Sequence, residues 1–262
     1  MKNSPEILFF DDFTDPHLNR DFWNVQTTGK IFNHELQAYV DSPETVSLSQ
    51  DEPNARGALV LQAHYRPGAQ TPQGAALDFI SGRIHTREKA TFRYGRVSAR
   101  LKLPAQPGAW PAFWALGASG RWPLCGEIDV MESVGEADWV SAAAHGAGYS
   151  GERALVNKKY FQPPAAAAEW HVYAAECSPE GLFFFVDDEL IYRVTRPMVE
   201  FFGAWRFDGE KFLILNLALG GTYPFKTNGA KEPYYGLPTE TLEFIKREPI
   251  RFLADWVKIT AL

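Results

Sequence analysis

Three carboxylates fall within six residues of an apolar, strand-like run: residues 122–135 read WPLCGEIDVMESVG, with Glu127, Asp129 and Glu132 set among Ile, Val and Met. Side chains on a strand alternate between faces, so Glu127 and Asp129 share one face while Ile128 and Val130 share the other. Glu132 stands five positions after Glu127 and, on a regular strand, would turn into the core with Ile128. One extra residue accommodated as a β-bulge around Val130 and Met131 returns it to the face of the other two acids. A buried, unpaired carboxylate is costly, so the bulged strand is the predicted one.

Two carboxyl groups held roughly 5 to 5.5 Å apart are what a retaining glycosidase needs, one to attack the sugar carbon and one to protonate the departing oxygen. Crowding divides the labour. Like charges at close range raise one pKa, and hydrogen bonds to a carboxylate lower its own, so two similar acids take opposite roles. Glu127 is assigned as nucleophile and Glu132 as general acid and base. Asp129, between them, is expected to share a proton or a hydrogen bond with Glu127. The competing readings are a calcium site or a solvated acidic strand face. Calcium loops, however, are irregular and rich in Gly, Asn and Asp, whereas this run is flanked by Ile, Val and Met.

The run GEIDVMESVG, with WPAFWALG before it and HGAGYSG after it, resembles glycoside hydrolase family 16, in particular its bulged branch of endo-1,3-β-glucanases (laminarinases). Relatives without the bulge carry the second Glu one residue earlier. The resemblance runs almost end to end and implies one all-β catalytic domain over residues 1–262. That domain would be a β-sandwich of the jelly-roll, concanavalin A-like type, two curved antiparallel sheets with an open cleft. It further implies retaining hydrolysis of internal β-1,3 linkages in laminarin-type glucans, mixed-linkage glucan included, with no cofactor required for catalysis.

The elements that must position the acids read as follows. Residues 110–116 (WPAFWAL) place Trp110, Ala112 and Trp114 on one strand face, a wall for the apolar faces of pyranose rings; a pair of core tryptophans is the plain alternative. Trp122 lies at the mouth of the acidic strand. Residues 139–145 (WVSAAAH) form the next strand, on which His145 shares a face with Ser141 and is expected near Glu132, binding or supporting the sugar without acting as a base. Residues 80–88 (ISGRIHTRE) and 94–104 (YGRVSARLKLP) alternate as two strands. Arg83 matches a family Arg after Ser-Gly at the cleft floor, where a positive charge near Glu127 would favour the ionised nucleophile; a surface strand charge is the alternative. FNHELQ at 32–37 resembles the family's NNELQ segment, so Asn33 matches an Asn bordering the distal glycone subsites, with His34 in place of the second Asn. The first and last strands supply Asp12 and Asp255, which the resemblance associates with a structural calcium and which are otherwise two ordinary solvated aspartates.

Further along, residues 170–194 read as hairpins with SPEG and DDE as turns. FLILNLALGG at 212–221 is a buried strand opening into a loop, and TYPFKTNG supplies Tyr223 in that loop as a stacking ring. PTETLEFIKRE at 238–248 forms a short helix in an insertion. Residues 67–74 read as a polar loop with two prolines.

With 262 residues, 45% apolar and 22% charged, the chain supports one large core with no linker, repeat or low-complexity segment. A net charge of −6 gives no basic patch to attract nucleic acid or an anionic membrane; a neutral β-glucan asks for none. A monomer is expected. No apolar run spans a bilayer, and MKNSPEILFF holds no signal-peptide core, although the family is secreted or periplasmic. Cys125 and Cys177 are read as free thiols. Three alternatives stay open: a family 16 galactanase of the agarase or carrageenase kind, for whose sulfated substrates basic residues are lacking; a transglycosylase, which shares the covalent intermediate; and a β-glucan-binding lectin, which would be expected to have lost one of the acids.

Overall fold

The computed structural model describes residues 5–28, 30–71, 74–162 and 166–262. Alternation of apolar and polar residues yields two packed sheets, the sandwich architecture expected. One is eight-stranded, in the order Leu155–Tyr160, Trp139–His145, Glu127–Glu132, Ala109–Gly117, Lys211–Leu219, Arg83–His85, Asn24–Val25, with Thr91–Phe92 also against Lys211–Leu219. The other is ten-stranded. Its strand Gly95–Lys102 lies between Trp170–Cys177 and Ile250–Thr260, and the first described strand, Ile7–Asp11, pairs with the last. Pairing is antiparallel except between Gln37–Tyr39 and Ala76–Ser81.

Lys211–Leu219 is buried at every position, which is why its sequence reads as a continuous apolar run. Leu213, Leu215, Leu217 and Leu219 enter the core between the sheets beside Phe113, Ile128, Val130 and Met131. Phe113 is fully buried, and truncating such a ring to Ala typically costs about 3–5 kcal/mol. The intervening residues of these strands face outward and form the groove.

Several elements differ from the sequence reading. The run 80–88 is two strands in two sheets, Ala76–Ser81 and Arg83–His85, because the chain changes sheet at Gly82, where a side chain would collide with the Thr45 carbonyl. The strand Ala58–Gln70 carries on through Pro67, so only the tip of the expected 67–74 loop remains, and residues 72–73 lie outside the described residues. TYPFKTNG folds as helix Thr222–Asn228, begun by Gly221 at φ 88° and ended by Gly229 in the left-handed region. The helix expected within 238–248 spans Thr239–Ile245. Cys125 and Cys177 are both free.

Candidate active site

The strand register shows the bulge directly. Toward Ala109–Gly117, Met131 pairs with Phe113 and Asp129 with the adjacent Trp114, leaving Val130 as the extra residue. Toward Trp139–His145, Glu127 pairs with His145, Asp129 with Ala143 and Glu132 with Ser141. Residues 141, 143 and 145 are spaced by two, so the three acids share one face. That face continues on Trp110, Ala112 and Trp114, which pair with Ala218, Asn216 and Ile214, and on Arg83, which pairs with Asn216.

Each acid has a distinct neighbour. The Trp110 indole donates to Glu132 Oε1 at 2.9 Å. His145 Nε2 lies 3.1 Å from Asp129 Oδ2 and 3.8 Å from Glu127 Oε1. The Gly151 backbone N–H donates to His145 Nδ1, so a neutral ring carries its proton on Nε2, toward the acids. Glu127, Asp129 and His145 could geometrically surround a metal ion, their ligand atoms all within 4.8 Å of one another. A ring protonated at Nε2 offers no lone pair there, however, so this donor set does not fit one. Asp129 Oδ2 is buried and lacks an aligned hydrogen-bond donor despite the close imidazole.

Burial lifts all three carboxyls to about 8. At Glu127 the Asp129 carboxylate raises the value further, while His145 and the Trp122 indole oppose the rise. At Glu132 Asp129 also raises it, and Trp110 and His145 oppose it. Three such groups cannot all be ionised side by side, so the cluster retains protons near neutral pH. A protonated Glu132 is ready to act as an acid, and the His145 Nε2–H faces the Glu127 and Asp129 carboxyls.

Two expectations are corrected. His145 lies opposite Glu127, not near Glu132, because the strand register sets it at the far end of the acidic run. Arg83 is not a partner of Glu127: the strands Ala109–Gly117 and Lys211–Leu219 stand between them. Its guanidinium instead lies 4.9 Å from the Trp114 ring centre and 5.8 Å from that of Tyr39. Trp110 and Trp114 are partly exposed in the groove. Trp122 is 51% exposed and tilts toward His145 at 6.4 Å. Asn33 is exposed at φ 52°, with its carbonyl accepting from the Thr222 N–H at the start of helix Thr222–Asn228. Tyr223 on that helix meets the Trp110 edge at 5.5 Å, and its hydroxyl bonds Ser141 Oγ at 2.9 Å, which places it beside Glu132.

Sequence reasoning missed Glu35, Gln37 and Tyr39, which reach this face from the segment after Asn33; the polar residues in HELQAY were the available signal. Asp12 and Asp255 do line one hollow of about 410 Å³, together with Phe10, Arg56, Trp256 and Lys258. Asp255 is committed to Arg100 at 2.6 Å and to the Arg56 N–H, and Asp12 to Thr14. A calcium ion takes six to eight oxygen ligands, backbone carbonyls and waters included, of which these two carboxylates could supply a part.

Comparison with known proteins agrees with this geometry. Residues 28–208 match the model of the glycosyl hydrolases family 16. A β-glucanase of Rhodothermus marinus is 33% identical over 231 residues, 83% of this chain and 77% of that protein. A β-1,3-glucan-binding protein of Penaeus monodon is 28% identical over 92% of this chain and 81% of its own length. Among solved structures, the endo-β-1,3-glucanase of Pyrococcus furiosus superposes with a TM-score of 0.83 at 28% identity, covering 97% of this chain and 94% of that one. A family match over more than half the chain, joined to a relative one-third identical, leaves one assignment: the protein belongs to glycosyl hydrolase family 16.

Proposed function

We propose that the protein is an endo-acting, retaining hydrolase of internal β-1,3-glucosidic bonds in laminarin-type glucans. The observation that carries this reading is the bulge at Val130, which turns Glu127 and Glu132 to one face of an open sheet. In the first step Glu127 attacks the anomeric carbon while Glu132 gives its proton to the departing glycosidic oxygen. In the second, Glu132 takes a proton from water, which displaces Glu127 and leaves the sugar with its original configuration. Family 16 glycosidases need no catalytic cofactor, and every group in these steps belongs to this chain.

Trp110 and Trp114 offer apolar rings to the sugar, and a neutral glucan suits a net charge of −6. Sulfated galactans fit less well, because Arg83, the basic residue in the groove, is turned to Trp114 and Tyr39. Retention of all three acids favours hydrolysis over glucan recognition alone. Among the described residues no helix is long and apolar enough to cross a membrane; action on a polysaccharide outside the cell follows from the substrate. Laminarin, mixed-linkage glucan and agarose, incubated separately and their products sized, test the reading. Short oligosaccharides from laminarin, lost in Glu127→Ser with glucan binding kept, are the expected result. Cleavage of agarose alone, or full activity in Glu127→Ser, would overturn it.

A further inference from the structure

One ring reaches past the general acid from one neighbouring strand to the other. Helix Thr222–Asn228 follows strand Lys211–Leu219 through Gly220 and Gly221. Its first turn is fixed by the Thr222 N–H, which donates to the Asn33 carbonyl at 2.8 Å, and by Phe225, stacked on Tyr235 at 4.3 Å. From this anchored turn Tyr223 packs T-shaped against Trp110, ring centres 5.5 Å apart at 79°, and places its hydroxyl 2.9 Å from Ser141 Oγ. Trp110 stands on the strand to one side of Glu132; Ser141 stands on the strand to the other side and pairs directly with it. Burial, and then the nearby Glu132 carboxyl, push the Tyr223 phenol above its ordinary range, so its hydroxyl keeps its proton. The ring is pinned at its backbone by the helix and at its tip by Ser141.

What this ring can secure is an orientation. An indole N–H donates and never accepts, so Glu132 Oε1, 2.9 Å from Trp110 Nε1, must be an acceptor, and the proton of the protonated acid belongs to Oε2. Trp110 is half-buried, and Tyr223 supports one side of its ring. We propose that Tyr223 is a positioning residue for Glu132: tethered to Ser141, it holds the Trp110 indole on Oε1 and so reserves Oε2 for the proton that the acid delivers. The tether is the phenolic hydroxyl. A phenylalanine at 223 keeps the ring against Trp110 and loses the bond that stops the ring from swinging away.

Delivery of that proton to a glycosidic oxygen rests on the glucanase reading; the contacts do not. Tyr223→Phe and Ser141→Ala remove the same bond from opposite ends, and should one fail to fold the other carries the test. The titratable groups that bear on Glu132 are Asp129 and Glu127 on its own strand, His145 on the next and Tyr223, and both variants leave the first three in place. Without any substrate, the ¹H–¹⁵N resonance of the Trp110 indole, identified by its loss in Trp110→Phe, follows the ionisation of Glu132 at about 8, a response absent from Glu132→Gln. In both variants its midpoint rises by about half a pH unit, about threefold in proton affinity, because a looser indole favours the carboxylate less. A midpoint that stays or falls overturns the proposal and leaves the hydroxyl as a staple for its helix. On laminarihexaose each variant lowers kcat about threefold with KM held within about twofold, and neither adds to the loss in a Trp110→Phe background, since coupled residues are not additive. A rise in KM at unchanged kcat, or an equal further loss in the Trp110→Phe background, overturns it as well. If the native protein leaves laminarihexaose uncut, the glucanase reading fails and the indole resonance still decides the role of Tyr223.

Discussion

Replacing Glu132 by Gln should abolish catalysis and stabilise the fold, by an amount that depends on pH. A carboxyl whose folded pKa lies above its unfolded value keeps a proton in the native protein where the unfolded chain has released it. Its contribution to stability is therefore full below about 4.5 and is lost progressively as the pH rises to about 8. At about 1.4 kcal/mol per tenfold change in proton affinity, a rise from 4.5 to about 8 corresponds to a ceiling of roughly 5 kcal/mol. Part of that is repulsion shared with Asp129, and Glu132 is not wholly shielded from water, so about half is expected, 2–3 kcal/mol. For a domain of this size that is about 5–10 °C in Tm. The amide is isosteric with the protonated acid and still accepts from Trp110. Thermal unfolding of both proteins at pH 4 and pH 9 is the assay: equal Tm at pH 4 and a more stable variant at pH 9 are expected. A Tm difference that does not grow with pH, or a variant less stable at pH 9, would refute the reasoning.

Other outcomes follow from neighbouring contacts. Trp110 donates to Glu132 and favours its ionised form, so Trp110→Phe raises that pKa and moves the alkaline limb of kcat/KM upward from about 8; a shift to lower pH would contradict this. His145→Ala removes the imidazole beside Glu127 and Asp129 and lowers kcat/KM about 10- to 100-fold, the worth of one close polar contact to a charged group, while Tm changes little. Lys211 is fully buried and donates to the carbonyls of Arg93, Phe207 and Gly209, so Lys211→Met leaves three acceptors unpaired and destabilises by about 3–5 kcal/mol in urea unfolding.

The bulge was legible because an odd spacing of acids in an apolar strand admits one arrangement that keeps all of them out of the core. The shared face of Trp110 and Trp114 was legible for the same reason, since alternation is a local property. What the chain does not display is the order of its strands. Arg83 and Glu127 are separated by two strands, one of which comes from residue 211 onward, so no reading of either neighbourhood could show that Arg83 serves Trp114. The placement of His145 failed on register, which depends on how the turn between Glu132 and Trp139 closes. Helix Thr222–Asn228 was hidden by Pro224 and its flanking glycines, which read as a loop and in fact begin and end a short helix. Glu35 and Tyr39 reach the groove from a segment whose strand pairs with the other sheet, so their meeting with Asn216 is a long-range event.

The central claim is that Glu127 and Glu132 act on one bond from one face, in two displacements. The most direct measurement is the ¹H NMR spectrum of the reducing end released in the first minutes of laminarin cleavage, before mutarotation. The two-step mechanism predicts the β-anomer first, with the α-anomer growing in later. Release of the α-anomer first would mean a single displacement by water, and Glu127 would not be the nucleophile.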